Sequence, residues 1–147
     1  VWITGPVGGA MLGFEALQAG EGDSLAYRRP QARLAEGQVL APVVSAMMDV
    51  SDGLLLDASR IARASGVTLA IESAAVPIAT PEPRRAEALR WGDDYQLLFT
   101  MPAGETSPVP AHAIGSVLAA GDAPLLLDGV ALGEADGLGY QHRSAAG

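Results

Sequence analysis

A chain of 147 residues is long enough for one ordinary domain, and a hydrophobic share of 49% excludes a disordered polymer. The formal net charge is -8 and the nine Lys-plus-Arg residues are all arginine, which disfavours extended binding to nucleic acid and excludes lysine chemistry. The absence of cysteine excludes disulfides, thiolate zinc sites and cysteine nucleophiles. Because we find neither an apolar run of roughly 18 residues nor a signal peptide, we expect a cytoplasmic protein without a membrane partner.

The N-terminal third is predicted to contain one strand and two helices. The strand comprises residues 1–4, an unusual start that leads us to expect an upstream region. A turn at residues 5–9 follows, and apolar spacing predicts a helix from residue 10 to residue 19 that stops at Gly20. A second short helix is predicted from residue 32 to residue 40.

Further along, strands and helices alternate. Residues 45–50 are predicted to form a buried strand, and Ser51 and Asp52 are expected to cap a helix over residues 53–65. The remaining predicted elements are a strand at 67–71, a loop at 73–83, a helix at 84–91, strands at 95–101, 113–118 and 124–127, a hairpin turn at Asp128-Gly129 and a disordered tail at 144–147. This order predicts an α+β (α/β layered) domain in which a mixed β-sheet is flanked by helices.

The strongest chemical signal is Asp49-Val50-Ser51-Asp52-Gly53, at the junction of the predicted strand and helix. Two carboxylates at this spacing can face one point near the helix N-terminus, and oxygen ligands on a preformed turn are those that Mg²⁺ prefers. The serine hydroxyl and the neighbouring N–H groups can contact a phosphate there. From the spacing alone, a simple helix cap is the commoner explanation.

A second signal is Trp91-Gly92-Asp93-Asp94-Tyr95-Gln96, which places two adjacent acids before an apolar strand. Asp93 or Asp94 can meet a substrate cation, with Trp91 or Tyr95 available for stacking or cation–π contact. Taken alone, this motif is more typical of a turn with solvated acids.

Two further features are given no chemistry. Clustered arginines such as Arg28, Arg29 and Arg33 can hold phosphate, but they are more often surface residues or partners of acids. The glycine-rich stretch at residues 5–13 lacks the spacing of the common nucleotide fingerprints, which favours a tight strand-to-helix turn.

Together these segments resemble the C-terminal domain of thiamine-monophosphate kinases, in the superfamily that includes aminoimidazole ribonucleotide synthetase. The matching segments are, in order, Arg29-Pro30-Gln31-Ala32-Arg33-Leu34 with Gly37; Ala46-Met47-Met48-Asp49-Val50-Ser51-Asp52-Gly53-Leu54 with Asp57; Gly92-Asp93-Asp94-Tyr95-Gln96-Leu97-Leu98-Phe99-Thr100; and Gly139-Tyr140. The resemblance implies that residues 1–147 are a single C-terminal-type domain, and that the N-terminal ATP- and Mg²⁺-binding domain is absent from this chain.

The resemblance also implies a function for the full-length protein: ATP-dependent phosphorylation of thiamine monophosphate to thiamine diphosphate, with Mg²⁺ as cofactor and ATP as co-substrate. It assigns Asp49 and Asp52 as Mg²⁺ ligands, Ser51 as an ATP contact, and Asp93 and Tyr140 as substrate contacts. No catalytic role is assigned beyond the metal ligands. Family members commonly dimerise, largely through the absent half, so a homodimer is an expectation for the full-length form only.

Two departures from the family pattern keep other functions open. The usual Gly-Gly-Glu-Asp-Tyr-Glu-Leu is here Trp91-Gly92-Asp93-Asp94-Tyr95-Gln96-Leu97, in which aspartate shortens the reach of glutamate. The early Gly-Asp-Ser-Ala-Ala-Gly is replaced by Gly8-Gly9-Ala10-Met11-Leu12-Gly13, without its acid. We expect the isolated chain to be inactive. The alternatives are a non-catalytic ligand-binding or assembly domain, and another enzyme of the superfamily, such as a purine-pathway or selenophosphate synthetase.

Overall fold

The computed structural model describes residues 1–140, which form two four-stranded β-sheets flanked by α-helices. The helices are α1 (Gly9–Ala19), α2 (Leu25–Arg28), α3 (Leu34–Leu40), α4 (Leu54–Ser65) and α5 (Arg85–Ala88). The strands are β1 (Trp2–Ile3), β2 (Ala46–Asp49), β3 (Val67–Ile71), β4 (Leu97–Thr100), β5 (His112–Ala113), β6 (Gly115–Ala119), β7 (Leu125–Leu127) and β8 (Val130–Leu132). The predicted disordered tail, residues 144–147, lies outside the described residues.

The first sheet has the strand order β2-β4-β1-β5, and its neighbouring strands are antiparallel. β2 is therefore an edge strand, with Asp49 opposite Leu97 of β4. The prediction of a buried strand at this point is wrong, because the edge position leaves Met47 and Met48 half-buried and Asp49 exposed. That exposure makes the Asp49 carboxylate accessible to a ligand.

The second sheet has the order β6-β3-β7-β8 and is the mixed one, since β3 is antiparallel to β6 and parallel to β7. Asp128 and Gly129 connect β7 to β8 with φ of 51° and 81°. Positive φ at both central residues is the requirement of a type I′ hairpin turn, so the predicted turn is confirmed.

Helix α4 connects the two sheets through one hydrophobic core. It contacts β2 and β4 of the first sheet and β3 and β7 of the second. Leu54, Leu55 and Ala58 on its inner face are fully buried, and the helix ends at Gly66, whose left-handed φ of 64° closes it. The α+β prediction with a mixed sheet flanked by helices is confirmed.

Several predicted boundaries change, and the strand predicted at residues 113–118 is divided into β5 and β6, which belong to different sheets. The strand predicted from residue 95 begins only at Leu97, because Tyr95 has a left-handed φ of 51° that a strand cannot accommodate. The helix predicted over residues 84–91 is reduced to α5, which follows a 3₁₀ turn at Glu82–Arg84. Within residues 1–140, no helix combines the length and apolar character needed to cross a bilayer.

Candidate functional site

Three backbone segments meet at the junction of β2 and α4. The Asp93 N–H donates to Ser51 O at 2.9 Å, and the Tyr95 N–H donates to Val50 O at 2.9 Å. From the C-terminal side, the Tyr140 N–H donates to Asp52 O at 2.8 Å. These hydrogen bonds bring together residues that are almost 90 positions apart in sequence.

Glycine permits this close approach. A Cβ on Gly53 would lie 2.5 Å from Arg90 O, and a Cβ on Gly92 or Gly139 would collide with the carbonyl oxygen of Ser51 or Asp52, respectively. Because real Cβ atoms essentially never come within 3.0 Å of such a neighbour, any side chain here would force the segments apart.

The three segments surround a cavity of about 800 Å³. Of the five site residues that the resemblance assigns, four line this cavity: Ser51, Asp52, Asp93 and Tyr140; Trp91 and Tyr95, the candidates for stacking, line it as well. The structure therefore brings together both the proposed ATP contact and the proposed substrate contacts.

An aromatic wall forms another side of the same cavity. The ring centroids of Phe14 and Tyr27 lie 5.1 Å apart in an edge-to-face arrangement, and those of Phe14 and Trp91 lie 5.7 Å apart. Such a cluster, close to the carboxylates of Asp52 and Asp93, is suited to a planar ring or a cation. Sequence reasoning missed Phe14 and Tyr27, whose proximity depends on how α1 packs against α2.

Asp49 lies in an adjacent groove of about 510 Å³, lined also by Leu34 and Gly37 of α3. Tyr95 borders both the groove and the cavity. Asp49 thus lines the groove and Asp52 lines the cavity, with Tyr95 shared between the two.

The phenol of Tyr95 interacts electrostatically with Asp49, Asp52 and Asp93. Burial raises the pKa of its phenol, and the carboxylates of Asp93, Asp49 and Asp52 raise that pKa further. Its hydroxyl donates to Asp93 Oδ1 at 3.4 Å. Asp93 itself has a left-handed φ of 65°, which, with the φ of Tyr95, marks a strained backbone of the kind that clusters at functional sites.

The predicted helix cap is wrong. The residue before α4 is Gly53, with φ of 118°, and no side chain caps the helix. Instead the buried Asp57 reaches back, and its Oδ2 accepts the N–H groups of Ser51 and Asp52 at 3.0 Å each. These two N–H groups therefore already have an acceptor within the chain.

Arg60 completes this arrangement. Its Nη1 donates to Asp52 Oδ2 at 2.5 Å and to Asp57 Oδ1 at 2.7 Å. Burial raises the pKa of the Asp57 carboxyl, while the Asp52 N–H and the Arg60 guanidinium act in the opposite direction. The sequence analysis included Asp57 in a matching segment but gave neither Asp57 nor Arg60 a role; the available signal was a single acid within the apolar run Leu54-Leu55-Leu56-Asp57-Ala58.

The Asp94 carboxylate stabilises the start of α1 and does not line the cavity. Its Oδ2 accepts the Gly8 N–H at 2.6 Å and its Oδ1 accepts the Ala10 N–H at 2.9 Å, at the N-terminus of α1. Of the two adjacent acids, Asp93 is the one that lines the cavity. The glycine-rich stretch is accordingly a strand-to-helix turn stabilised by an internal carboxylate.

The donor set suits a divalent cation only in part. Asp49, Ser51 and Asp52 offer the hard oxygen atoms that Mg²⁺ prefers, and Asp49 is exposed. Within residues 1–140, however, no group of three or more His, Cys, Asp or Glu side chains is arranged to hold a metal ion. Mg²⁺ commonly uses one or two carboxylates together with water and substrate phosphates, so these residues fit it as part of a larger site.

Comparison with known proteins shows the family of the chain. The family model described as "AIR synthase related protein, C-terminal domain" matches residues 1–125. The chain belongs to this family.

This AIR synthase related C-terminal domain is similar to proteins named thiamine-monophosphate kinase. It is 35% identical over 118 residues to the one from Escherichia coli (strain K12), an alignment that covers 69% of this chain and 36% of that relative. The crystal structure of the Stenotrophomonas maltophilia K279a thiamine-monophosphate kinase superposes with a TM-score of 0.78 at 29% identity, over 89% of this chain and 50% of that one. A solved complex, AaThiL with AMPPCP and TMP, has a TM-score of 0.77 at 30% identity, over 89% of this domain and 48% of that chain. The domain therefore spans half or less of the length of these relatives.

Proposed function

We propose that this chain is the C-terminal half of an ATP-dependent kinase that phosphorylates thiamine monophosphate to thiamine diphosphate. The observation that carries the proposal is the cavity in which Ser51, Asp52, Asp93 and Tyr140 meet beside an aromatic wall. It is supported by similarity to thiamine-monophosphate kinases, one of them solved with AMPPCP and TMP. A cytoplasmic location is part of the proposal.

The reaction would transfer the terminal phosphoryl group of ATP to a phosphate oxygen of thiamine monophosphate, releasing ADP. Both reactants are anions, so the main requirements are in-line positioning and neutralisation of their repulsion. A covalent enzyme intermediate is unnecessary, which agrees with a chain that has no cysteine and no lysine.

Asp49 and Asp52 are the residues that would hold Mg²⁺, with Ser51 contacting ATP between them in sequence. Mg²⁺ bound there would supply positive charge to the phosphate oxygens of both substrates. The edge position of β2 exposes Asp49 for this role, and the Asp57 anchor fixes the backbone on which Ser51 and Asp52 lie. The remaining metal ligands would come from phosphate, water and the N-terminal half.

The aromatic wall and Asp93 would receive the cationic ring system of thiamine. A carboxylate and the face of an aromatic ring both attract a positively charged heterocycle. Arg90 also lines the cavity, and its guanidinium would offer a donor for the substrate phosphate. Tyr140, 62% exposed at the rim, would close over the ring.

Asp49→Asn in the intact protein tests the proposal. We expect loss of thiamine diphosphate formation with an unchanged thermal unfolding midpoint, because Asp49 is exposed and its replacement keeps the side-chain shape. Asp122→Asn, which neutralises an exposed acid in a loop outside the cavity, is the matched control and should keep full activity. Undiminished turnover by Asp49→Asn would remove this residue from the mechanism.

The alternatives predict different outcomes with the same protein. Magnesium-dependent ATP binding without product would favour a non-catalytic domain, and turnover of aminoimidazole precursors would favour a purine-pathway enzyme. We expect no kinase activity from the isolated 147-residue chain, because the acidic corner, residues 49–53 between β2 and α4, supplies only part of a metal site. A homodimer of the intact protein is checked by light scattering.

A further inference from the structure

Arg60 has a position that the proposed mechanism does not use. It lies on the exposed face of α4, with 44% of its side chain accessible, yet one nitrogen atom, Nη1, contacts both Asp52 Oδ2 and Asp57 Oδ1. Asp57 is fully buried and uses its other oxygen to hold the backbone of the acidic corner. Arg60 is thus held between an anchored carboxylate and a carboxylate that faces the cavity.

We propose that Arg60 is a positioning residue that sets the divalent-cation affinity of the corner by competing for Asp52. This inference rests on the proposed Mg²⁺ role of Asp49 and Asp52. The contact engages Oδ2 of Asp52 and places a positive charge beside it, which opposes a second cation there. The buried Asp57 keeps the guanidinium in this place, so the competition is built into the fold.

Substitutions of Arg60 and of Asp57 are therefore expected to change the cation affinity in opposite directions. Loss of the Arg60 charge releases Asp52 and tightens cation binding. Loss of the Asp57 charge leaves Asp52 as the charged partner of Arg60. It also weakens the hydrogen bonds that Asp57 accepts from the N–H groups of Ser51 and Asp52. Both effects weaken cation binding. A purely structural role for both residues would weaken binding in both variants.

The test is titration of Mn²⁺ into the intact protein, with the EPR signal of the free ion as the readout. Arg60→Gln is expected to lower the Mn²⁺ Kd roughly fivefold, the order expected for removal of one unit charge near a divalent cation in a solvated site. Arg60→Lys should stay within about twofold of the wild type, because a single nitrogen makes both contacts. Asp57→Asn should raise the Kd, and thermal unfolding shows whether this variant is folded.

Two controls separate the possible failures. Arg63→Gln removes the same charge from the same helix one turn further on, and should leave the Kd nearly unchanged. If Asp52→Asn does not weaken Mn²⁺ binding, Asp52 is not a cation ligand, and both its ligand role and the Arg60 role are overturned. If Asp52→Asn weakens binding but Arg60→Gln matches Arg63→Gln, the Arg60 role alone is overturned. If Asp57→Asn does not fold, the Arg60→Gln and Arg60→Lys pair still decides.

Discussion

Gly53→Ala is the sharpest test of how the site is assembled. Gly53 combines two constraints: a φ of 118°, which L-amino acids with a side chain rarely adopt, and a position against the backbone of Arg90. A Cβ at this residue would lie 2.5 Å from Arg90 O and 2.9 Å from Arg90 C. The neighbouring backbone cannot easily retreat, because the Leu55 N–H donates to Leu89 O at 3.2 Å and the Arg90 N–H donates to Glu87 O at 3.0 Å.

The two constraints give separate contributions to the loss of stability. A residue forced into such a backbone conformation costs about 1–3 kcal/mol. Overpacking against a fixed neighbour costs about 1–3 kcal/mol more. We therefore expect Gly53→Ala to lower the free energy of unfolding by about 4 kcal/mol, a large part of the stability of a small domain.

The free energy of unfolding is measured by urea denaturation of the chain, with the glycine at the other end of α4 as the control. Gly66 also has a left-handed φ, 64°, but a Cβ there would meet nothing within 4 Å. Gly66→Ala should therefore cost only the conformational contribution, about 1 kcal/mol. Equal losses for the two variants would show that the close approach to Arg90 does not constrain Gly53.

Three further predictions concern other buried or hydrogen-bonded groups. Thr80→Val should raise the free energy of unfolding by up to about 1 kcal/mol in urea denaturation, since Thr80 Oγ1 is buried and, within residues 1–140, has no hydrogen-bond partner. Asp94→Ala should lower it by about 3 kcal/mol, because the Gly8 and Ala10 N–H groups lose their acceptor. Hydrogen bonding to Ser73 lowers the pKa of the Asp128 carboxyl, so its stabilising contribution is present above the unfolded-state pKa and is lost as the pH falls. In Asp128→Asn, the decrease in the free energy of unfolding between pH 6 and pH 3 should therefore be smaller than in the wild type by a few tenths of a kcal/mol.

Each of these predictions has a control or a contradicting result. Thr68→Val is the match for Thr80→Val, because the Thr68 hydroxyl donates to Ala123 O at 2.7 Å and accepts the Gly121 N–H, so this change should be destabilising. Equal effects of the two threonine changes would contradict the first prediction. Asp94→Asn should lie between Asp94→Ala and the wild type, and an Asp94→Ala variant of wild-type stability would contradict the second. An unchanged pH dependence in Asp128→Asn would contradict the third.

Much of the site was predictable because its chemistry is local in sequence. The segment from Asp49 to Gly53 shows two carboxylates, a hydroxyl and a glycine in five residues, and Asp93 and Tyr140 belong to short matching motifs. The helix cap could not be predicted, because it depends on the backbone of Gly53, which lies against Arg90, and local spacing does not show that contact. A cap from Ser51 or Asp52 would accept N–H groups of the first helical turn, whereas Asp57 accepts the N–H groups of Ser51 and Asp52 themselves.

The amino-acid sequence by itself determined the α+β class, most element positions, the hairpin at Asp128-Gly129 and the residue types of the acidic corner. Periodicity, turn chemistry and motif spacing encode these features over a few residues each. Only the tertiary structure decided that Asp49 lines a groove next to the cavity, that Asp94 binds α1 while Asp93 lines the cavity, and that Arg60 contacts Asp52. These features depend on contacts between segments distant in the chain or on the direction in which a backbone turns, and neither is written in local sequence.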